Sequence, residues 1–271
     1  MARRKDFQVD GALALVTGAG SGIGREVARI LAEHGSRVIA ADIDGDAAEK
    51  TAALCGEIGP ESHGLVCDVS DADAVSTLAD RVQGTWAAPD VLVNNAGVGL
   101  TGRLTDMTVD DWRWIRGVNL DGVVHGCLAF GPAMLERGHG HVVNMSSGLG
   151  YTPRATEIAY SATKAAVLSF SQSLRADWRR RGVGVSAVCP GVINTPIIDS
   201  TRFVGERTDK RDRLVKAFRN GHSPDLVARE VLRSIREDRV VVFPGAEAKA
   251  GWWAHRLLPL RMHQFIARQD P

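Results

Sequence analysis

Tyr160 and Lys164 stand four residues apart in a stretch that reads as a helix, so their side chains share one face. A phenol with an ordinary pKa of about 10 is a weak base at neutral pH, and a nearby ammonium favours its phenolate. The pair suits general acid–base work at an alcohol or carbonyl oxygen. Ser147 lies 13 residues before Tyr160, just after a strand-like run at 141–145. A hydroxyl there could hydrogen-bond the same oxygen.

A second set of residues points to a dinucleotide. The run Thr17-Gly18-Ala19-Gly20-Ser21-Gly22-Ile23-Gly24 follows the first apolar run and opens the first helical stretch. Glycines there permit a sharp turn and let a pyrophosphate approach the helix N-terminus. Gly24 also removes a side chain where helix and strand pack closely. Asp42, 18 residues after Gly24, closes the second strand. A carboxylate in that place accepts hydrogen bonds from the adenosine ribose hydroxyls and repels a 2′-phosphate. Its neighbours Ala41 and Ile43 bring no positive charge, so NAD is expected over NADP. Asp68 ends the third strand, where it can meet the adenine edge, and Asn94-Asn95-Ala96-Gly97 follows the fourth.

These residues need a frame. Strands are expected at 12–16, 37–41, 64–67, 90–93, 141–145, 183–188 and 240–243. Helices are expected at 22–33, 44–54, 109–137 and 158–181, with one capped by Ser70 and running to Val82. Strands apolar on both faces that alternate with helices make a parallel sheet covered on both sides. The expectation is one α/β domain over 1–271, a doubly wound, seven-stranded parallel sheet with its core at 11–243. The segments 195–221 and 245–271 break the rhythm.

Composition narrows the class. The 271 residues carry 33 Lys+Arg and 32 Asp+Glu, so no basic field argues for nucleic acid. Cys55, Cys67, Cys127 and Cys189 are too far apart for zinc pairs or a disulfide framework, which favours reduced thiols in the cytoplasm. His222, His255 and His263 read as surface or tail residues, so no metal is expected. The basic start at 1–6 precedes no apolar leader, and no run approaches the ~20 apolar residues of a membrane span.

Taken together, the chain resembles the short-chain dehydrogenase/reductase family. The matching residues are Thr17-Gly18-x-x-x-Gly22-Ile23-Gly24, Asn94-Asn95-Ala96-Gly97, Asn119 in Val118-Asn119-Leu120, Ser147, Tyr160-x-x-x-Lys164 and Pro190-Gly191. The resemblance implies hydride transfer between C4 of a nicotinamide and a carbinol carbon, coupled to proton exchange through Tyr160. Ser147 would hold the substrate oxygen. Lys164 would lower the phenol pKa and bind the nicotinamide ribose, and Asn119 would hold a water in a proton relay. Alone, Asn119 reads as a polar residue satisfied at a helix irregularity. Cofactor contacts are implied for Gly18, Ser21, Gly22, Ile23, Gly24, Asp42, Ile43, Asp68, Val69, Asn94, Ala96, Gly97, Tyr160, Lys164, Pro190, Gly191, Ile193 and Thr195. The helices at 109–137 and 158–181 would build a homo-dimer or homo-tetramer. Ala162, Ala166, Ser169 and Ser173 allow close approach on the second, which also carries Val167, Phe170, Leu174 and Trp178.

Three segments should select an alcohol or ketone substrate: 98–106, 148–157 and 195–221. Leu149, Tyr151, Pro153, Ile197 and Ile198 make them apolar, whereas Arg154 and Glu157 fit a wall or solvent equally. The charged run Arg202, Glu206, Arg207, Asp209, Lys210, Arg211, Asp212 and Arg213 reads as the wet face of an amphipathic lid. The tail holds Trp252, Trp253, Leu257, Leu258, Leu260, Met262, Phe265 and Ile266 among Arg256, Arg261, His263 and Arg268. It resembles the ends of family members that handle lipophilic alcohols. It suits packing in an oligomer or over the pocket, with peripheral membrane contact as an alternative. Two other functions compete: an NADP-dependent reductase of 3-oxoacyl type, and a catalytically silent dinucleotide sensor. The intact Ser147, Tyr160 and Lys164 weigh against the sensor.

Overall fold

The computed structural model describes residues 7–205 and 208–268. Glu206 and Arg207 of the charged run lie outside them, as do the side chains of Asp209, Lys210 and Ile266.

The strands are β1 (Leu13–Thr17), β2 (Arg37–Asp42), β3 (His63–Val66), β4 (Val91–Asn94), then β5 (Leu100–Thr101), β6 (Gly140–Met145), β7 (Val183–Val188), β8 (Arg202–Phe203) and β9 (Val241–Val242), of which β1, β4, β5, β6 and β7 are buried along their length. Seven of them form one parallel sheet in the order β3-β2-β1-β4-β6-β7-β9. In register, Val16 lies between Ala40 and Val93. Successive residues of β1 serve opposite faces: Ala14 and Val16 join one core cluster, Leu13 and Leu15 the other.

Helices cover both faces. α1 (Gly22–Glu33) and α8 (Pro224–Glu237) pack Val27, Leu31, Val227, Val231 and Ile235 on one side. On the other, α3 (Ala72–Thr85), α5 (Gly122–Arg137) and α6 (Ile158–Trp178) bring Val75, Leu78, Val82, Phe130, Met134 and Trp178. α2 (Gly45–Ile58), α4 (Val109–Arg116), α7 (Thr208–Arg219), α9 (Ala246–Leu257) and α10 (Leu260–Arg268) complete the set. The strand order reverses between β1 and β4, and ligands of open α/β sheets bind beyond the carboxyl ends of the strands at such a point.

Several local expectations change. Asp71, not Ser70, caps α3: its carboxylate accepts from the Asp73 and Ala74 N–H groups, while the Ser70 hydroxyl is spent on Asp68. The helix expected at 109–137 is two helices joined by a π-turn at Gly117–Asp121 that carries Asn119. The combined stretch is apolar and long enough for a membrane span, but Ile115, Val123, Phe130 and Met134 sit in the protein core. α8 is additional to the expected helices. It starts on Ser223, with Pro224 in the first turn where a missing N–H costs nothing. The charged segment forms an amphipathic helix: α7 buries Leu214 and exposes Arg211, Asp212 and Arg213. All four cysteines are buried and free.

Candidate active site

A cavity of about 1030 Å³ runs along the carboxyl ends of the strands. One end is built from the glycine turn. Gly18 adopts φ +62°, a left-handed conformation that costs an L side chain energy, and a Cβ there would lie 2.7 Å from Ala96 Cα. A Cβ on Gly24 would collide with the Gly18 carbonyl. The turn is clamped from two sides. Asp42 Oδ2 accepts from Gly20 N–H at 2.8 Å, and the Arg25 guanidinium donates to Gly20 O. Asn95 Nδ2 donates to Thr17 O and Gly18 O at 3.0 and 3.1 Å.

The turn delivers a bare helix N-terminus to the cavity. Ser21 makes no side-chain cap on α1, and the first turn holds no acidic residue. Unpaired N–H groups and the helix dipole therefore face a space lined by Gly18, Ser21, Gly22 and Ile23. Asp42, Ile43, Asp68 and Val69 line the same end. The other Asp42 oxygen accepts from Asp44 N–H at 3.0 Å, and Asp68 Oδ1 holds Ser70 N–H at 2.9 Å. An anionic pyrophosphate fits the bare helix end, and ribose hydroxyls fit the Asp42 carboxylate. The residues present thus fit a nicotinamide dinucleotide.

The middle of the cavity holds the reactive side chains. β6 ends at Met145 and presents Ser147; the start of α6 presents Tyr160 and Lys164. The Ser147 hydroxyl accepts from Leu149 N–H at 3.2 Å and lines the cavity together with the Tyr160 phenol. Lys164 Nζ donates to Met145 O at 3.0 Å and lies 5.7 Å from the Tyr160 ring centre. A Cβ on Gly97 would lie 3.3 Å from Asn119 Oδ1 and 3.4 Å from Lys164 Nζ, so both side chains converge there. Ala96, Gly97, Pro190, Gly191, Ile193 and Thr195 also line the cavity.

Burial governs the charges of these groups. It pushes the Tyr160 phenol up to about 12, opposed by the Ser147 hydroxyl and reinforced by Glu157. It pulls Lys164 down to about 8. The lowering of the phenol pKa expected from Lys164 does not emerge. The ammonium is turned to the Met145 carbonyl, and desolvation of the phenolate outweighs it.

Three expected site residues do not line the cavity. Asn94 is buried in the protein interior: its Nδ2 donates to Asn144 Oδ1 at 2.8 Å, and Asn144 in turn donates to Ser171. Its cavity position is taken by Asn95, because consecutive residues at a strand end point to opposite sides. Gly24 acts behind the turn, through close packing. Asn119 is fully buried and grips the Val98 backbone, accepting from its N–H at 2.8 Å and donating to its carbonyl at 2.9 Å. Through these two bonds the side chain fixes the chain between Gly97 and β5.

The far end of the cavity is apolar and assembled from distant segments. Leu100, Trp114, Leu149, Val192, Ile197 and Ile198 line it. Leu214, Ala217 and Phe218 from α7 and Ala248 and Gly251 from α9 join them, from two segments the sequence had placed at the pocket without singling out these residues. β5 pairs with β8 in parallel, which ties the chain after β4 to the lid. The Arg202 guanidinium stacks 3.8 Å from the Trp114 ring. Arg154 and Glu157, open to either reading, both line the wall. The tail folds back on this end: Tyr151 Oη donates to Ala248 O at 2.7 Å, and Ala155 N–H to Ala267 O at 2.9 Å. His222, expected at the surface, pairs with Glu247 at 3.0 Å, joining the end of the lid to α9. Among the described residues no three His, Cys, Asp or Glu converge as metal ligands.

The short chain dehydrogenase family model matches residues 12–203. A probable oxidoreductase, EphD, of Mycobacterium tuberculosis is 40% identical over 255 residues, 91% of this chain. The chain spans only 43% of that relative's length. D-threitol dehydrogenase of Mycolicibacterium smegmatis is 35% identical, with 89% of this chain and 92% of the relative covered. A short-chain dehydrogenase/reductase from Burkholderia phymatum, solved in complex with NAD, superposes with a TM-score of 0.88 at 32% identity, covering 98% of this chain and 99% of that one. A family match across most of the chain, on a sheet that sets Ser147, Tyr160 and Lys164 beside a bare helix end, makes this protein a member of the short-chain dehydrogenase/reductase family.

Proposed function

We propose that residues 1–271 act as one NAD-dependent dehydrogenase unit that moves a hydride between nicotinamide and a lipophilic secondary alcohol or ketone. The observation that carries this reading is the convergence of Ser147, Tyr160 and Lys164 on one stretch of the cavity wall, between the glycine turn and an apolar end. Nicotinamide, when bound, donates or accepts the hydride. Tyr160 Oη gives its proton to the carbonyl oxygen during reduction and takes it back from the alcohol during oxidation. Ser147 Oγ holds the same oxygen. Lys164 binds the nicotinamide ribose hydroxyls. The Asp42 carboxylate selects NAD by accepting from ribose hydroxyls and repelling a 2′-phosphate.

Large apolar side chains at the far end of the cavity support a lipophilic substrate. Exposed Val109, Trp112 and Leu128 on α4 and α5, and exposed Ala162, Ser169 and Ser173 on α6, support a homo-dimer or homo-tetramer through these helices. Four buried free thiols fit the reducing cytoplasm.

The test is NADH production, read by fluorescence, over secondary alcohols of increasing apolar size, with NADP in parallel. Wild type should favour NAD and the larger alcohols. Tyr160→Phe should lose on the order of 10³-fold in turnover and bind NADH unchanged. Robust turnover in that variant, or a preference for NADP, would sink the reading.

A further inference from the structure

Five of the fifteen exposed large hydrophobic residues described lie within thirteen positions of the tail: Trp253, Leu257, Leu260, Met262 and Phe265. Their exposures run from 48% to 76%. The other ten are scattered from Ile43 to Val240. Trp253 and Leu257 share a face of α9 at a spacing of four, and Met262 and Phe265 a face of α10 at a spacing of three. Lys249, Arg256, Arg261 and Arg268 are exposed among them. The stretch 248–268 contains no carboxylate, and the one acid of α9, Glu247, is paired with His222.

We propose that α9 and α10 form a docking surface for an anionic lipid bilayer. Two short helices with exposed Trp, Leu, Met and Phe, flanked by unopposed cations, have the chemistry of an interfacial anchor. Charge decides between a membrane and a second copy of the chain. A two-fold contact sets the same patch against itself. Here that would bring Arg256, Arg261 and Arg268 against their own copies with no acid in the stretch to pair with. Acidic headgroups complement the same arginines. The surface also lies beside the cavity mouth, since Ala248 and Gly251 line the wall and Ala267 O holds Ala155 N–H. An apolar substrate would reach the site from the acyl layer. The surface rests on exposure and charge, and stands whatever the substrate.

The test uses the full chain and co-sedimentation with vesicles. Wild type should pellet with phosphatidylglycerol vesicles, pellet far less with phosphatidylcholine, and be released by salt. Leu257→Glu with Phe265→Glu should abolish pelleting. Arg256→Gln, Arg261→Gln and Arg268→Gln should each weaken it roughly fivefold, and they keep the test sharp if the double variant folds poorly. Sedimentation velocity should give wild type and the double variant the same assembly state. Failure to pellet with phosphatidylglycerol, equal pelleting with both lipids, indifference to the arginine changes, or an assembly that dissociates in the double variant would each overturn the proposal.

Discussion

The two ends of the cavity are built on different principles. The glycine end is backbone: a strand, a turn and a bare helix N-terminus, contiguous in sequence and clamped by Asp42, Arg25 and Asn95. The apolar end is side chain: α4, the segments after β4, β6 and β7, α7 and α9 all contribute to it. A ligand common to many proteins can be held by peptide groups, which tolerate sequence change elsewhere. A particular substrate has to be read by side chains on loops and short helices, where substitutions cost the scaffold little.

Perturbing each end separately should break the two apart. The largest effect is expected at Gly24→Ala. A methyl driven against the Gly18 carbonyl should distort the turn, cost roughly 1–3 kcal/mol of stability, and abolish NADH binding in a fluorescence titration. A variant that still binds dinucleotide would show that the turn yields more than its packing suggests.

Lys164 joins the two ends, and its burial gives a pH signature. Its pKa falls from 10.5 to about 8 on folding, so between those values the unfolded chain holds a proton that the folded one has shed. Stability therefore rises with pH across that window, and the contribution is lost as pH falls through 8. Tyr160, raised to about 12, works in the opposite sense, and only above pH 10. Lys164→Met should be least destabilised relative to wild type at pH 7 and lose ground between pH 8 and 10, by up to roughly 3 kcal/mol. Melting curves at three pH values read this, and a flat difference would mean that the ammonium is better solvated than its surroundings imply.

Asp42→Ala removes a ribose acceptor and the Gly20 clamp together. NAD affinity should drop about tenfold and the gap to NADP should narrow, with turnover at saturating cofactor little changed. Phe218→Ala, at the opposite end, should raise KM for large apolar alcohols severalfold and leave the NADH dissociation constant alone. If it shifts both, the ends are coupled and the contrast between them softens.

The same contrast explains what was legible in the sequence. Short continuous runs of Val, Ile, Leu and Ala located the strands, and a glycine string between strand and helix located the turn. Tyr160 and Lys164 were legible because a spacing of four is a geometric statement about a helix. The break at Asn119 was not, since a π-turn adds a residue without a distinctive local sequence. Asn94 and Asn95 are chemically identical, and only the pleat decides which one faces the cavity. Leu214, Phe218 and Gly251 left no signal, because their nearness to Tyr160 is made by tertiary packing. The pKa argument was incomplete for a related reason: spacing located the ammonium, whereas burial set the cost of the phenolate.

The bond from Ala155 to Ala267 has a consequence for biosynthesis. The strands and turn that receive the dinucleotide leave the ribosome before α9 and α10, and domains take shape from the N-terminal side as they emerge. The strap over the loop that precedes Tyr160 is translated after every strand of the sheet. A growing chain thus acquires its means of gripping the coenzyme long before it can discriminate among alcohols, and evolution can retune that discrimination by editing the final helices while the reactive centre is left untouched.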